Sequence, residues 1–360
     1  MSDNDTKRHG FSRKLEAYRA LSGKEKRQRL GEFLLNNAMF IIIFFTIVYI
    51  AIKVPAFLSV SSIVNIVSLT AAKLPIALGI GGAIVLSGTD ISAGRMVGLA
   101  ACIAGSLLQA NDYPGKLFPN LPTLPLWLVL LIVMAAGAVL GLINGFFVAK
   151  FKLHPFIVTL STQLVTFGLI LMYLKIGTNN GQTLSGLDSS YTDFIKGTLF
   201  RIGDVAVPKY VLYSAILTVL VWILWNKTTF GKNMFAVGSN EEAANVSGVN
   251  VFRTILLVFM LAGILYGITG FIEGARIASC SANTGLNYES DAIAACVIGG
   301  VSFVGGTGKI SGIVIGVFLL QIIFVGLNFL SVDANMLYVI KGLIILAACA
   351  VDMRKYLARR

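Results

Sequence analysis

Long uninterrupted apolar stretches constrain this chain more than any other feature. A helix needs about 20 apolar residues to cross the hydrocarbon core of a bilayer. Stretches of about that length recur at 35–53, 64–87, 94–110, 126–149, 155–176, 209–225, 254–275, 289–304, 310–330 and 336–352. They do not alternate between polar and apolar residues, as the strands of an outer-membrane barrel do. The sequence therefore predicts an all-α polytopic membrane protein with about ten transmembrane helices.

Composition excludes the other broad classes. Hydrophobic residues make up 56% of the 360-residue chain and charged residues only 13%, about half the usual charged share of a soluble domain. An ordinary soluble enzyme, a disordered chain and a collagen-like fibre are therefore excluded.

The positions of the basic residues indicate how the chain is oriented in the membrane. The net charge is +12, but the basic residues cluster at the termini and in a few loops, so no nucleic-acid partner is expected. Most of them fall in segments that ten spans would place in the cytoplasm, with both termini inside. We expect a basic cytoplasmic segment at 1–34, a transmembrane domain at 35–352 with a cytoplasmic loop at 226–253, and a cytoplasmic tail at 353–360.

The order of the spans allows an inverted repeat. Five predicted spans precede Val205 and five follow it. An odd number in each half gives the halves opposite orientations, which is a common plan in transporters. Two short polar segments, ending at Asp90 and Asp291, each precede a run of small residues. We therefore predict two five-helix halves related by inversion.

Ionisable residues interrupt several of the apolar stretches. An isolated charge at mid-membrane costs on the order of 2.5–3.5 kcal/mol, so such residues usually pair with each other or face water. Glu273 and Arg276 are three residues apart, on one helical face, and are expected to pair. Together with Asp90, Arg95 and Asp291 they are candidates for a polar pathway or gate. The alternative is that they form ion pairs that only hold the helices together.

Small residues also recur with helical spacing. Gly137, Gly141 and Gly145 form a double GxxxG pattern, and Gly263 and Gly267 form another. Because lipid does not drive apolar helices together, close backbone approach at small residues is a main source of helix association in membranes. These glycines predict tight helix packing, and a smooth seam for sliding is the alternative.

No catalytic, nucleotide or metal motif is complete. The segment Gly305–Ser311 (GGTGKIS) resembles a phosphate-binding loop, but Phe303 replaces its first glycine and Ile310 replaces its magnesium-binding hydroxyl residue. Two histidines, His9 and His154, and four scattered cysteines predict neither a metal site nor a disulfide framework. We expect this chain to be no enzyme and to hold no cofactor.

The hydrophilic loop 226–253 lies between the two predicted halves. Asn240 can cap a short helix, two glutamates favour its first turn, and Gly248 can end it. A membrane protein that is driven by another protein needs a surface on which that protein can dock, and this helix is the obvious candidate. Its residues of interest are Asn240, Glu241, Glu242, Ala243, Ala244, Ser247 and Gly248.

Four segments resemble a known family. They are WNKTTFGKNMFAVGSNEEAANVSGVNV, GTDISAGRMVGLAACIAGSLLQ, GLINGFFVAKFKLHPFIVTL and YESDAIAACVIGGVSFVGG. These are similar to the ABC sugar-import permeases of the ribose/galactose class, within the branched-chain amino acid permease superfamily. The resemblance covers roughly residues 35–355, and the forms GTDISAGR and DAIAACVIGGVSF are closer to the galactose/methyl-galactoside branch.

The resemblance implies a permease subunit in the bacterial cytoplasmic membrane. It implies a homodimer of this chain, a periplasmic or lipid-anchored sugar-binding protein, and a cytoplasmic ATPase with two nucleotide-binding modules. ATP and magnesium would be held by that ATPase, which would dock on the helix at 240–248 and move the bundle as a rigid body.

Two other classes of function are open. A secondary transporter driven by an ion gradient would use a carboxylate pair at mid-membrane, and Asp90 with Asp291 could take that role. A scaffold or membrane-enzyme subunit would carry no substrate flux.

Overall fold

A computed structural model describes residues 38–177 and 179–357 of the chain. The chain divides into two units, residues 1–46 and residues 47–360. In the first unit the rings of Phe44 and Phe45 contact each other edge to face, with centroids 5.7 Å apart. The predicted basic segment 1–34 lies outside the described residues, as do the last three residues of the tail. The helices from Val60 onward belong to the second unit.

The described chain is built mainly of helices. In chain order the elements are α1 (Ala38–Lys53), a 3-10 turn (Pro55–Leu58), α2 (Val60–Val85), α3 (Ala93–Leu107), α4 (Leu126–Phe151), α5 (Pro155–Leu174), α6 (Ser189–Lys196), β1 (Thr198–Ile202), β2 (Val205–Pro208), α7 (Tyr210–Lys227), α8 (Thr229–Ser239), α9 (Glu241–Val246), α10 (Val251–Ile277), α11 (Tyr288–Ile298), α12 (Ile310–Phe329) and α13 (Ala334–Leu357).

A helix occupies each apolar segment that the sequence singles out. Within the described residues, six helices are long and apolar enough to cross a membrane, namely α2, α4, α5, α7, α10 and α12. The apolar parts of α1, α3 and α13 are shorter, and α11 has 11 residues. The prediction of a polytopic helical membrane protein is thus confirmed, while the number of crossings stays a prediction.

Three local predictions differ from the structure. The segment 289–304 is helical only to Ile298, because Gly299 ends the helix and Gly300 adopts a positive φ of 83°. The loop 226–253 contains a second helix, α8, whose Met234 and Val237 are buried. The segment between the predicted spans 155–176 and 209–225 holds α6 and an antiparallel hairpin of β1 and β2, which is a small exception to the predicted all-α fold.

The centre of the unit is α10, which packs against α2, α3 and α4. At its seam with α4 the backbones touch: a Cβ on Gly137 would overlap the carbonyl of Gly263, and one on Gly141 would overlap that of Phe259. A Cβ on Gly267 would likewise overlap Val133. The predicted tight packing of the GxxxG glycines is confirmed, and this α4–α10 seam is held by close backbone contact.

The same neighbour relations recur in the two halves of the unit. Helix α3 packs on α4 and α5, and α11 packs on α12 and α13. Helix α2 contacts α11 and α12, while α10 contacts α3 and α4. Helices α2 and α10 contact each other, as do α3 and α11.

The connections gather at two opposite ends of the helices. At one end, here called the α9 end, Ser87 bonds to Val304 and the Lys152 ammonium pairs with the Glu241 carboxylate. At the other end, here called the hairpin end, Leu184 pairs with Cys280 as an isolated bridge. Helix α4 runs from the hairpin end to the α9 end over 26 residues, about 39 Å at 1.5 Å per residue.

Candidate coupling helix and intramembrane charges

Helix α9 is a short helix with defined ends. The Asn240 side-chain oxygen accepts a hydrogen bond from the Ala243 amide at 2.9 Å, and Glu241 and Glu242 occupy the first turn. Both features favour the helix start, since they satisfy free amides and complement the helix dipole. At the other end Gly248 has a φ of 85°, and the Val249 amide bonds back to Ala244 at 3.0 Å. The predicted cap and stop are confirmed.

One residue of α9 faces the bundle and the others face outward. Ala244 is only 5% exposed and packs in an apolar cluster with residues of α4 and α10, including Val148, Ile255 and Phe259. Val246, on the opposite side of the helix, is 89% exposed. The outward surface of α9 therefore consists of Glu241, Glu242, Ala243, Asn245, Val246 and Ser247.

An ion pair also fastens α9 to the turn between α4 and α5. The Lys152 ammonium contacts the Glu241 carboxylate, and Lys152 itself has a positive φ of 55°. Because both side chains are largely exposed, this pair contributes little to stability by itself. Beside it lies a cavity of about 440 Å³, with His154 and Asn240 among its lining residues. Packing of Ala244 therefore holds the inner side of the helix against the bundle, while its outer side is exposed.

Asp90 is almost completely enclosed at the start of α3. It is 1% exposed, and its Oδ1 accepts hydrogen bonds from the Ser92 amide at 3.0 Å and the Ser92 hydroxyl at 2.5 Å. Asn144 of α4 donates to the same hydroxyl at 3.0 Å, and Thr162 of α5 donates to the Asn144 carbonyl at 2.6 Å. Asp90 therefore ties the start of α3 to α4 and α5.

Arg95 lies deep in the bundle but keeps part of its surface exposed. Its Nη1 donates to the Ala282 carbonyl at 2.9 Å, and its guanidinium lies 4.1 Å from the centre of the Phe167 ring. Phe167 is 12 residues along α5, about 18 Å from the start of that helix. One turn earlier, Gln163 is half-buried, and its side chain has no hydrogen-bond partner among the described residues. Polar groups at this depth usually face water or another protein surface.

The remaining predicted charges are paired. The Arg276 Nε lies 2.7 Å from the Glu273 carboxylate, as the sequence predicts, although the second Glu273 oxygen is buried without a partner. Asp291 pairs with Lys341 of α13 at 2.8 Å. Asp90 and Asp291 thus have separate partners and do not form one carboxylate pair. The ammonium of Lys73 lies over the Tyr288 ring.

Several contacts of the site could not have been predicted from the sequence. Lys73 and Lys341 stand out as lone lysines in apolar spans, but their partners come from other helices. Nothing in the local sequence marks Phe167 or Gln163. Within residues 38–177 and 179–357, no group of three or more His, Cys, Asp and Glu side chains is placed to hold a metal ion.

Apolar helices of membrane-crossing length, glycine-seamed packing and buried charges on several helices define a membrane transport component with a helical contact element at one end. Residues 62–349 match the sequence profile of the permease component of branched-chain amino acid transport systems. This chain belongs to that permease family.

Similar proteins include two galactose/methyl galactoside import permeases. The one from Escherichia coli is 43% identical over 328 residues, which cover 91% of this chain and 97% of that protein. The one from Haemophilus influenzae is 41% identical over 94% of this chain and its own full length. The ribose import permease of Bacillus subtilis is 35% identical over 93% of this chain and 98% of its own. No solved structure matches the chain.

Proposed function

We propose that this chain is the permease subunit of an ATP-driven, binding-protein-dependent importer of galactose or methyl galactosides. The observation that carries the proposal is near end-to-end similarity, at 41–43% identity, to permeases named for that cargo. The relative named for ribose has the lower identity of 35%. An ion-gradient-driven transporter is the weaker alternative, since Asp90 and Asp291 already have separate partners in this structure.

The proposed partners follow from that class. They are a second copy of this chain, a cytoplasmic ATPase with two nucleotide-binding modules, and a periplasmic or lipid-anchored sugar-binding protein. ATP and magnesium would be held by the ATPase, and this chain would perform no chemistry. In support, Ile310, at the position where a phosphate loop places a magnesium-binding hydroxyl, is 3% exposed.

The proposed topology has ten crossings in two inverted halves, in the bacterial cytoplasmic membrane with both termini in the cytoplasm. The recurring neighbour relations support it: α3 relates to α4 and α5 as α11 relates to α12 and α13. The α9 end also gathers Lys150, Lys152, Lys232 and Lys309, as expected for a cytoplasmic face. In this proposal 35–352 is the transmembrane domain, 1–34 a cytoplasmic segment and 353–360 a cytoplasmic tail.

The proposed site has two parts. Helix α9, with its cap and stop residues Asn240 to Gly248, is the docking element for the ATPase. Asp90, Arg95, Glu273, Arg276 and Asp291 belong to the polar pathway or its gate. Their burial suggests different roles, since Arg95 is partly buried and lies near the unpartnered Gln163, whereas Asp90 and Glu273 are enclosed.

Uptake of radiolabelled D-galactose into proteoliposomes tests the proposed class. We expect uptake to require ATP, the ATPase and the binding protein, and to persist when proton and sodium gradients are collapsed. Uptake by this chain alone, or uptake that stops with the gradients, would show that the class is wrong.

Docking is tested by Val246→Arg on the outward face of α9. The arginine reaches water at a position 89% exposed, so the fold stays intact while affinity for the ATPase falls by at least about tenfold, as for an interface hot spot. Ile202→Arg, on the exposed hairpin at the opposite end, is the matched control and leaves that affinity unchanged. Equal affinity for both variants would place the docking surface elsewhere.

A further inference from the structure

Three segments meet backbone to backbone at the α9 end. They are the end of α2 at Val85, the end of α8 at Gly238, and the turn 299–309 at Gly306. The Gly306 amide donates to the Val85 carbonyl at 2.8 Å. A Cβ on Gly238 would overlap that same carbonyl, and a Cβ on Gly306 would overlap Ser239. The meeting point therefore has no room for a side chain on either glycine.

The hydroxyl of Ser87 spans the same three segments. It lies 2.7 Å from the Val304 carbonyl and 3.2 Å from the Gly238 carbonyl, so that its single proton is shared between acceptors 151 and 217 residues away in sequence. Ser87 holds this position with a φ of 59°, in the left-handed region that non-glycine residues rarely adopt. This left-handed turn ends α2, where the Ser87 amide donates to the Ile84 carbonyl at 2.8 Å and the Gly88 amide donates to the Ala83 carbonyl at 3.0 Å.

Each of the three segments is directly connected in sequence to a helix that could move during transport, namely α9, α3 or α11. Gly238 stands two residues before Asn240, the cap of α9. The segment after Ser87 continues through Asp90 into α3, and the turn containing Val304 follows α11. Helices α3 and α11 have 15 and 11 residues and contact each other. The Ser87 junction thus connects the surface helix to both short helices in the interior.

We propose that Ser87 is a positioning residue that transmits displacement of α9 to α3 and α11 together. The proposal rests on the proposed function, because it requires α9 to be the docking helix of the ATPase. When α9 moves, Gly238 moves with it, and its close contact with Val85 and Gly306 leaves no free space to absorb the displacement. Through its hydrogen bond to Val304, the Ser87 hydroxyl makes the 86–92 turn and the 299–309 turn move together.

The test separates docking from transmission. The chain is reconstituted with its ATPase and sugar-binding protein, and two quantities are measured: affinity for the ATPase, and ATP hydrolysed per molecule of D-galactose imported. We expect Ser87→Ala to raise the ATP cost per sugar by about tenfold, within the usual range of coupling between two sites. Affinity for the ATPase is expected to change by less than about twofold, since the outward face of α9 is untouched.

Ser87→Gly guards against a folding artefact. Glycine adopts a positive φ without strain, so this variant removes the hydroxyl without adding backbone cost. Ser161→Ala is the matched control, because the Ser161 hydroxyl bonds only within its own helix, to Ile157 at 2.9 Å. The proposal predicts a raised ATP cost in both Ser87 variants, an unchanged cost in the Ser161 variant, and unchanged docking affinity in all three.

The other outcomes overturn the proposal. An unchanged ATP cost in Ser87→Gly shows that the hydroxyl transmits nothing. Loss of ATPase affinity in the Ser87 variants shows that Ser87 supports the docking surface instead. The proposed function fails separately, if Val246→Arg leaves ATPase affinity at the level of the unaltered chain.

Discussion

For the ion pair between Asp291 and Lys341, we expect removal of the lysine to lower the stability of the chain more than removal of the aspartate charge. The two groups are 2.8 Å apart, with side-chain exposures of 11% and 23% respectively. Lys341→Met leaves Asp291 as an unpaired carboxylate between apolar helices, and breaking a buried pair in this way costs about 3–5 kcal/mol. Because Asp291 keeps a little exposure, we expect about 3 kcal/mol, the lower end of that range.

Removing the other partner is expected to cost less. After Asp291→Asn, the Lys341 ammonium keeps the ring of Phe324 at 4.5 Å and that of Tyr338 at 5.9 Å. Cation–π contacts contribute about 0.5–2 kcal/mol, and the lysine stem can carry the charge toward water. We therefore expect Asp291→Asn to destabilise the chain by about 1–2 kcal/mol. The double variant, which buries no charge, should be more stable than Lys341→Met alone.

Reversible unfolding in mixed detergent micelles measures all three variants against the parent chain. The difference between the double variant and the sum of the single variants gives the coupling free energy, which we expect to exceed about 1 kcal/mol. Additive effects, or a larger loss for Asp291→Asn than for Lys341→Met, would refute the reasoning from burial and the aromatic rings.

Three further predictions concern the seam, the enclosed aspartate and the pathway. Gly141→Ala places a methyl group against the Phe259 carbonyl and should cost about 1–3 kcal/mol in the same unfolding assay; Gly168→Ala, in open space, should be neutral or stabilising, and equal losses would argue against the seam. Asp90→Ala should lower the folded yield without changing the order of preference among sugars in a competition uptake assay, and an altered order at normal yield would contradict this. Gln163→Cys should react with a charged, water-soluble thiol reagent in the reconstituted protein, whereas its neighbour in Leu164→Cys, which we place against lipid, should not; equal reaction would show that the two positions face the same environment.

Local signals made much of the fold predictable. Apolar runs long enough for the membrane are set by composition over 20 residues, so most of their positions agree with the helices to within a few residues, the run at 289–304 excepted. The α9 cap and stop were predictable because Asn240 and Gly248 act on their immediate neighbours. The pairing of Glu273 with Arg276 follows from helical spacing alone.

The rest depended on contacts between distant segments. Helix α8 buries Met234 against other helices, and the sequence does not indicate which helices these are. The Arg95–Phe167 contact joins residues 72 positions apart in the sequence, and the Ser87 bond joins residues 217 apart. Such pairings are decided by how the helices are arranged, and no window of sequence contains both partners.

The backbone contact along α4 and α10 makes these two helices a natural reference for measuring motion. With carbonyls of one helix touching glycines of the other, neither can slide or rotate without first separating. Spin labels placed on the lipid-facing sides of α4 and α10 should keep one separation throughout turnover. Distances from a label on another helix to the labels on α4 and α10 then report displacement of that helix, separately from tumbling of the whole subunit.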